Sequence, residues 1–287
     1  MQRKERDFNI KTSGHGVPLV WAHAMMSSID TEEALGWFGW DKLPSSISLI
    51  RYDARGHGGS KHPCRPDAFQ WRNLGTDMLN IADRCDAPCF IAGGMSMGCA
   101  SAIHAAIQAP QRIKGLVLAM PPMIWQNRAA QHELYKRIAA RGLEADGRAM
   151  AKLMSRDLAR TLPRWLTDAA PGTAASLAIG VHALDRRVIP DLFHGAAISD
   201  LPPHADLQAI AHIPVLILAW PDDATHPLQS AHELHALLPH STLQVIRSHR
   251  EFLQMREHIH AFAADIDRPE SQFTFNGHLI GRIVDRS

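Results

Sequence analysis

The stretch that decides the fold is Gly94-Met95-Ser96-Met97-Gly98, which follows an apolar run beginning at Phe90 and opens a helical pattern over 97–108. The pattern G-x-S-x-G between a strand and a helix predicts a sharp turn that holds its serine in a strained backbone conformation. Small residues on either side let the strand and the helix approach closely. We therefore expect the Ser96 hydroxyl to stand above the end of the strand, at the N-terminus of the helix, as a candidate nucleophile.

Outward from this turn, short apolar runs alternate with amphipathic stretches of helical length. Helical patterns follow several of the runs, and strands separated by helices indicate βαβ units and a mostly parallel sheet. The strand candidates are nearly continuous in apolar residues, which indicates that both faces of the sheet are covered. We predict an α/β, doubly wound fold with strands at 17–22, 47–52, 90–94, 113–119, 215–219 and 243–246, and helices at 97–108, 228–238 and 252–266.

The segment from about residue 120 to 203 breaks this alternation. It contains helical patterns at 129–141 and 146–158 but no convincing strand. The simplest account is a helical cap inserted over the carboxyl edge of the sheet. The predicted organisation is a core domain in two parts, 1–120 and 205–267, with a cap at 121–204 and a tail at 268–287 that packs on the core or contacts another chain.

A serine hydroxyl is a poor nucleophile at neutral pH and needs a base that an acid orients. In folds with this turn, the chain order is serine, then aspartate or glutamate, then histidine. The segment after the next-to-last strand, 219–227, reads AWPDDATHP. We predict Asp223 as the acid, because Pro227 completes the usual D-x-x-x-P turn, and Asp222 is the alternative.

The base is expected after the last strand, where His249 directly follows the run 243–248. His258 and His260 lie close by in the sequence, but they belong to a helical pattern and are predicted to be surface residues. The sequence therefore favours His249 as the base of a triad with Ser96 and Asp223.

Acyl transfer also needs two backbone N–H groups directed at the developing oxyanion. One is expected from Met97, the residue after the nucleophile. The other is expected from Met25, in the loop after the strand 17–22, where His23 and Ala24 open the segment HAMMSS.

The segment 51–60, RYDARGHGGS, is interpreted as structural, with Asp53 and Arg55 able to pair and its glycines permitting tight turns.

Composition narrows the function classes. A net charge of +1 over 287 residues gives no electrostatic reason to expect nucleic acid or an anionic membrane as a partner. The 18 histidines are scattered without an H-E-x-x-H helix, so no metal is predicted. No apolar stretch follows the charged N-terminus, and a cytoplasmic protein is expected. The cysteines fit neither a zinc spacing nor a disulfide framework: Cys64, Cys85, Cys89 and Cys99.

Taken together, the segments around 53–60 and 94–98, the His23 loop and the Asp223 turn resemble the α/β-hydrolase superfamily over roughly residues 8–120 and 205–265. The first half is similar to small carboxylesterases and 3-oxoadipate enol-lactonases, which share R-Y-D-x-R-G-H-G-x-S and G-x-S-M-G. This resemblance implies a cofactor-free mechanism and a small-molecule ester or lactone substrate. Ala24, Cys99, the Ser248-His249 pair and the distinctive cap depart from the pattern, which leaves the catalytic histidine and the substrate open.

We expect a serine hydrolase with an acyl-enzyme on Ser96 and a small to medium, fairly apolar substrate. The same triad serves C–C bond hydrolases and other cofactor-free reactions, and a barely catalytic small-molecule receptor on this scaffold is a further alternative. Apolar residues of the cap suggest an adaptable pocket, although they would equally bind the cap to the core. The sequence leaves open whether the chain forms a homo-oligomer. The residues predicted to contact substrate are Ala24, Met120, Met123 and Trp125, and the wider apolar set includes Met150, Met154 and Trp165.

Overall fold

The structure, a computed structural model, describes residues 8–44, 46–60, 65–142, 160, 162–185 and 187–266. Its centre is a seven-stranded sheet in the order β1-β3-β2-β4-β5-β6-β7. The first strand pairs antiparallel with the third, and every other pairing is parallel. The strands are β1 Ile10–Ser13, β2 Val17–Ala22, β3 Ile47–Tyr52, β4 Phe90–Met95, β5 Ile113–Ala119, β6 Val215–Ala219 and β7 Ser241–Val245.

The predicted doubly wound fold is confirmed. Buried residues form two apolar clusters that pack against the sheet, which explains why the inner strands are apolar at nearly every position. The predicted helix over 97–108 is present over the same residues, whereas the one over 252–266 is two helices. The helices are α1 Ile29–Leu35, α2 Trp71–Arg84, α3 Met97–Gln108, α4 Ala129–Gly142, α5 Arg164–Ala169, α6 Thr173–Ala183, α7 Ile189–Ala197, α8 Leu228–Leu237, α9 His249–Leu253 and α10 Met255–Ile266.

Between β5 and β6, the regular structure of the described residues is helical, from the 3₁₀ turn Trp125–Arg128 to α7. The predicted helix at 146–158 and the tail at 268–287 lie outside the described residues. The domain boundaries therefore stay a prediction.

The topology explains where a site can form. Strands β2, β4, β5 and β6 are parallel neighbours, so their carboxyl ends meet at one edge of the sheet. In open α/β sheets this edge is where ligands bind. The loops that begin at His23 and Ser96, and the loop that contains Asp223, all leave the sheet at this edge.

Candidate active site

The turn between β4 and α3 has the strained geometry that its sequence predicts. Ser96 lies at φ 55° and ψ −110°, and its N–H donates to the Ala119 carbonyl at 3.0 Å. A side chain at Gly94 would meet the backbone of Gly98, and one at Gly98 would collide with the Ala22 carbonyl. Such backbone strain costs about 1–3 kcal/mol and persists only where the surrounding structure holds it. The close packing of strand, turn and helix therefore fixes the serine at the sheet edge.

A histidine contacts the serine directly. His226 Nε2 lies 2.9 Å from Ser96 Oγ, and His226 Nδ1 lies 2.9 Å from Asp223 Oδ2. An ionised carboxylate only accepts hydrogen bonds, so Nδ1 carries the proton and donates it to Asp223. Nε2 then presents its lone pair to the serine O–H. This is the arrangement in which an imidazole removes the proton of an attacking hydroxyl.

Asp223 is held in its charged form. Its two oxygens accept from the Trp220 indole N–H at 2.9 Å, from the Thr225 N–H at 2.8 Å and from the His226 N–H at 3.0 Å, in addition to the imidazole. Burial opposes its ionisation, but the His226 ring and these hydrogen bonds outweigh burial and lower the pKa of Asp223 to about 2. Asp222, the alternative acid, is exposed. The geometry therefore favours Asp223, as predicted.

The histidine at this site is not the predicted one, and the assignment of His249 is corrected. His249 is the first residue of α9, its side chain is exposed, and its ring stacks near Phe252 at 6.3 Å between centroids. Ser248 caps this helix by accepting from the Glu251 N–H, so a helix begins at residue 249, with three residues between it and the end of β7. In the described residues, no hydrogen bond joins His249 to Ser96 or to Asp223.

The loop after β6 explains why His226 reaches the serine. One Asp223 oxygen accepts both the Thr225 and the His226 backbone N–H, which curls the loop tightly around the carboxylate. The curl brings the His226 ring beside both partners before α8 begins at Leu228. The order serine, aspartate, histidine is preserved along the chain. The sequence signal that was overlooked is the histidine three residues after the acid, His226 in the segment 223–227, DATHP.

Met25 and Met97, the residues predicted to supply the oxyanion donors, line the same cavity as Ser96. In the described part of the chain, neither the Met25 nor the Met97 N–H has a hydrogen-bond acceptor. The adjacent Met26 N–H donates to His57 Nε2 at 3.1 Å, and Met26 has a left-handed φ of 62°. Both N–H groups are therefore free to donate to an oxygen of a ligand.

Two buried histidines support this loop. His57 Nδ1 donates to the Arg55 carbonyl at 3.0 Å, which leaves Nε2 as the acceptor for Met26. His23 Nε2 accepts the Ala54 N–H at 2.9 Å. Burial, followed by the nearby His23, lowers the pKa of His57 to about 3, so the ring stays neutral and can keep accepting.

The side-chain contacts that stabilise the segment 51–60 differ from the expected ion pair between Asp53 and Arg55. Arg55 forms a two-pronged ion pair with Asp77 of α2, at 2.6 and 2.5 Å. Asp53 instead accepts from backbone and amide N–H groups, including those of Ile29 and Gly59 at 2.8 Å. The expected Asp53–Arg55 pair is therefore wrong, because a residue far away in sequence supplies the partner.

A cavity of about 560 Å³ adjoins Ser96 and His226. Of the predicted substrate contacts, Ala24 and Met123 line it. The wall is largely apolar, with Glu32 and Gln131 among its few polar side chains. Other residues that line it are Met25, Trp37, Phe38, Trp71, Met97, Tyr135, Leu177 and Phe193.

Met120 and Trp125 do not line this cavity, which corrects two predicted contacts. Met120 is 1% exposed and packs in the core, with its N–H donating to the Leu218 carbonyl. The Trp125 indole N–H donates to the Pro202 carbonyl at 3.0 Å, and its ring stands edge-on to His204. Both side chains are engaged by neighbours outside the cavity.

Glu32 is an unusual group in this wall. Its carboxyl is 4% exposed and accepts from the Trp21 indole N–H at 2.9 Å. Burial is the main reason that the pKa of Glu32 is raised to about 7, against the opposing effects of Trp21 and Arg51. Near neutral pH this wall therefore carries a carboxyl that is only partly ionised.

No group of three or more His, Cys, Asp or Glu side chains is arranged to hold a metal ion within the described ranges. Across the same residues, none of the helices combines the length and the apolar character that crossing a membrane requires.

Comparisons with known proteins agree with this fold. The sequence profile of the family described as alpha/beta hydrolase fold matches residues 18–257. The chain is 28% identical over 206 residues to 3-oxoadipate enol-lactonase 2 of Acinetobacter baylyi, which covers 70% of each chain.

Two solved structures illustrate the likeness of fold. A thermophilic esterase from Thermogutta terrifontis matches with a TM-score of 0.73 and 19% identity, over 91% of this chain and 94% of the other. The enol-lactonase from Burkholderia xenovorans matches with a TM-score of 0.73 and 17% identity, over 92% and 97%. The family match spans most of the chain and includes the whole candidate site, and the chain therefore belongs to the α/β-hydrolase family.

Proposed function

We propose that this hydrolase cleaves a carboxylic ester or lactone through an acyl-enzyme on Ser96, with His226 as the base and Asp223 as the group that orients it. The observation that carries the proposal is the continuous relay from Asp223 Oδ2 through His226 to Ser96 Oγ, with 2.9 Å at each contact. A nucleophile, its base and the orienting acid within hydrogen-bond reach are the signature of nucleophilic catalysis.

The reaction follows from the proton positions. His226 Nε2 takes the proton of Ser96 as Oγ attacks the carbonyl carbon, and the imidazolium is stabilised by Asp223. The Met25 and Met97 N–H groups bind the oxyanion of the tetrahedral intermediate. The intermediate collapses to the acyl-enzyme as His226 returns the proton to the leaving alcohol. Water, deprotonated by His226, then attacks the acyl-enzyme, and His226 returns this proton to Ser96 Oγ as the bond from Oγ to the acyl carbon breaks and the acid is released. With a lactone, the alcohol and the acid are parts of one hydroxy-acid product.

The side chains that line the cavity support the proposal that the substrate is neutral and largely apolar. None of the described residues that line it is lysine or arginine, and Glu32 adds negative charge as it ionises. An anionic substrate would therefore enter without a direct cationic partner. A volume of about 560 Å³ suits a small to medium ligand. The enol-lactonase relative supports a lactone as one form of this substrate.

The test is hydrolysis of p-nitrophenyl esters from acetate to octanoate, together with labelling by a fluorophosphonate, in wild type and Ser96→Ala. Wild type should turn over and label, and Ser96→Ala should do neither. Ser230→Ala is the matched control, because Ser230 is a fully buried serine whose hydroxyl has no hydrogen-bond partner. This control should label and turn over like wild type.

Turnover that survives in Ser96→Ala would refute the proposal. Stoichiometric labelling of Ser96 without turnover of any ester or lactone would instead favour the receptor alternative. Chain-length preference among active substrates measures the depth of the cavity.

A further inference from the structure

Arg128 is a fully buried cation behind the cavity wall, at the end of the turn that precedes α4. In the described residues it forms no salt bridge with a carboxylate. Its donors go instead to carbonyl oxygens and one amide oxygen, and its guanidinium lies 3.9 Å from the centre of the Trp71 ring. The acceptors are Ser199 O at 2.6 Å, Ala196 O at 2.6 Å, Met123 O at 3.1 Å and Gln131 Oε1 at 2.8 Å.

The hydrogen bond from Arg128 to Gln131 Oε1 determines the orientation of the Gln131 side-chain amide. The oxygen and nitrogen of a glutamine amide are assigned from their partners, and a guanidinium can only donate. Oε1 must therefore face Arg128, which makes Nε2 the opposite end of the amide. Hydrogen bonding to a cation also polarises the amide, so Nε2–H is a stronger donor than in a free glutamine.

This nitrogen has no acceptor among the described residues. Gln131 is 6% exposed and lines the cavity that adjoins Ser96. The nitrogen is not among the fully buried polar atoms that lack a partner, so it is accessible from the cavity, where a ligand acceptor can take the place of water. The rest of the wall is mainly apolar, so this donor is a strong discriminating feature.

We propose that Gln131 is a specificity-determining residue whose Nε2–H binds a neutral acceptor, a carbonyl or ether oxygen, on the substrate at a distance from the scissile carbonyl. Arg128 is the positioning residue that keeps the amide in this orientation. The inference rests on the proposed function, and it narrows the substrate class to apolar esters or lactones that carry a second oxygen function.

The test compares p-nitrophenyl 4-oxopentanoate, 5-oxohexanoate and 6-oxoheptanoate with the plain esters of equal chain length. The series places the second carbonyl at three distances from Ser96. At the best length, wild type should prefer the keto ester by about three- to tenfold in kcat/KM, the gain typical of one added neutral hydrogen bond. This preference should disappear in Gln131→Leu and in Gln131→Glu.

Gln131→Glu separates recognition from a merely structural role. Its carboxylate still accepts from Arg128 and fills the same volume, but it has no N–H to donate. A structural role would leave the preference intact in Gln131→Glu and damaged in Gln131→Leu. Retention of the keto preference in Gln131→Glu would overturn the proposal, as would the absence of any preference in wild type at all three lengths.

Binding to the Ser96→Ala protein tests the inference without turnover. Trp37 and Trp71 line the cavity, so quenching of tryptophan fluorescence reports the methyl esters of the same acids as they bind. Tighter binding of a methyl keto ester that is lost in Ser96→Ala/Gln131→Glu supports the inference even if no ester is hydrolysed. Rapid hydrolysis of plain esters with no keto preference would refute the inference and leave the proposed function standing.

Discussion

Replacing His226 with alanine, beside His249→Ala, decides which histidine is the base. The His226 side chain makes two hydrogen bonds that alanine cannot make, one to Ser96 and one to Asp223. The backbone N–H of residue 226 still donates to Asp223 Oδ1 in the variant, so we expect the loop to keep its curl. The exposed His249 ring contacts Phe252 by stacking, and alanine there removes no hydrogen bond that the described residues show.

These contacts set the expected magnitudes. Without His226, Ser96 has no base, while the Met25 and Met97 N–H groups remain available for the oxyanion. Loss of a triad base typically lowers kcat by about 10⁴–10⁶, which corresponds to roughly 5–8 kcal/mol in the activation barrier. The exposed His249 side chain contributes within about 0.5 kcal/mol to stability. Because the described residues show no hydrogen bond from it to Ser96 or Asp223, its replacement should leave kcat/KM close to that of wild type.

The assay is steady-state hydrolysis of the best p-nitrophenyl ester, with circular dichroism and thermal unfolding of each variant to verify the fold. A folded His226→Ala with near wild-type kcat would refute the argument from geometry. Loss of turnover in His249→Ala, with little effect of His226→Ala, would show that the base comes from the end of β7 after all.

Two predictions concern stability against pH. His57 has a folded pKa near 3, below its ordinary 6.5, so the unfolded chain binds a proton first; its contribution to the free energy of unfolding should fall by about 1.4 kcal/mol per pH unit as pH drops below 6.5, and the difference in urea unfolding between wild type and His57→Gln from pH 7 to 4 should show this slope. Glu32 has a folded pKa near 7, above its ordinary 4.5, so the folded state holds a proton that the unfolded chain releases. The Glu32 contribution to stability should fall as pH rises through that window, by roughly 3 kcal/mol in total, and it opposes the His57 contribution where the two windows overlap; the difference between wild type and Glu32→Gln should show this fall, and the same pH profile in both proteins would contradict the assigned burial effect.

Much of the site could be predicted because its determinants are local. The G-x-S-x-G turn could be predicted because only small residues fit where a strand and a helix approach closely. Gly98 is such a residue, since a side chain there would collide with the Ala22 carbonyl. Asp223 was distinguished from Asp222 by its distance from Pro227, and it is the aspartate that contacts the imidazole. The prediction that the Met25 and Met97 N–H groups bind the oxyanion comes from the same local rules, since each residue occupies a defined position relative to a strand end, and it stays a prediction.

The errors share one cause. His249 was placed at the site from its position after the last strand, and Met120 and Trp125 from their apolar character at the start of the cap, whereas the direction of a side chain depends on how its loop or helix leaves the sheet. Ser248 caps a helix and His249 is exposed, while the curl around Asp223 carries His226 to Ser96. Arg55 likewise pairs with Asp77, 22 residues away, and not with its neighbour Asp53.

The sequence by itself determined the alternation of strands and helices, the strained serine turn and the family, because apolar periodicity and steric fit act over a few residues. Only the tertiary structure decided which histidine contacts the serine, which apolar side chains face the cavity, and that Arg128 orients the amide of Gln131. Those outcomes depend on side chains that the fold brings together from separate loops and helices. The distances between them cannot be derived from the order of residues along the chain.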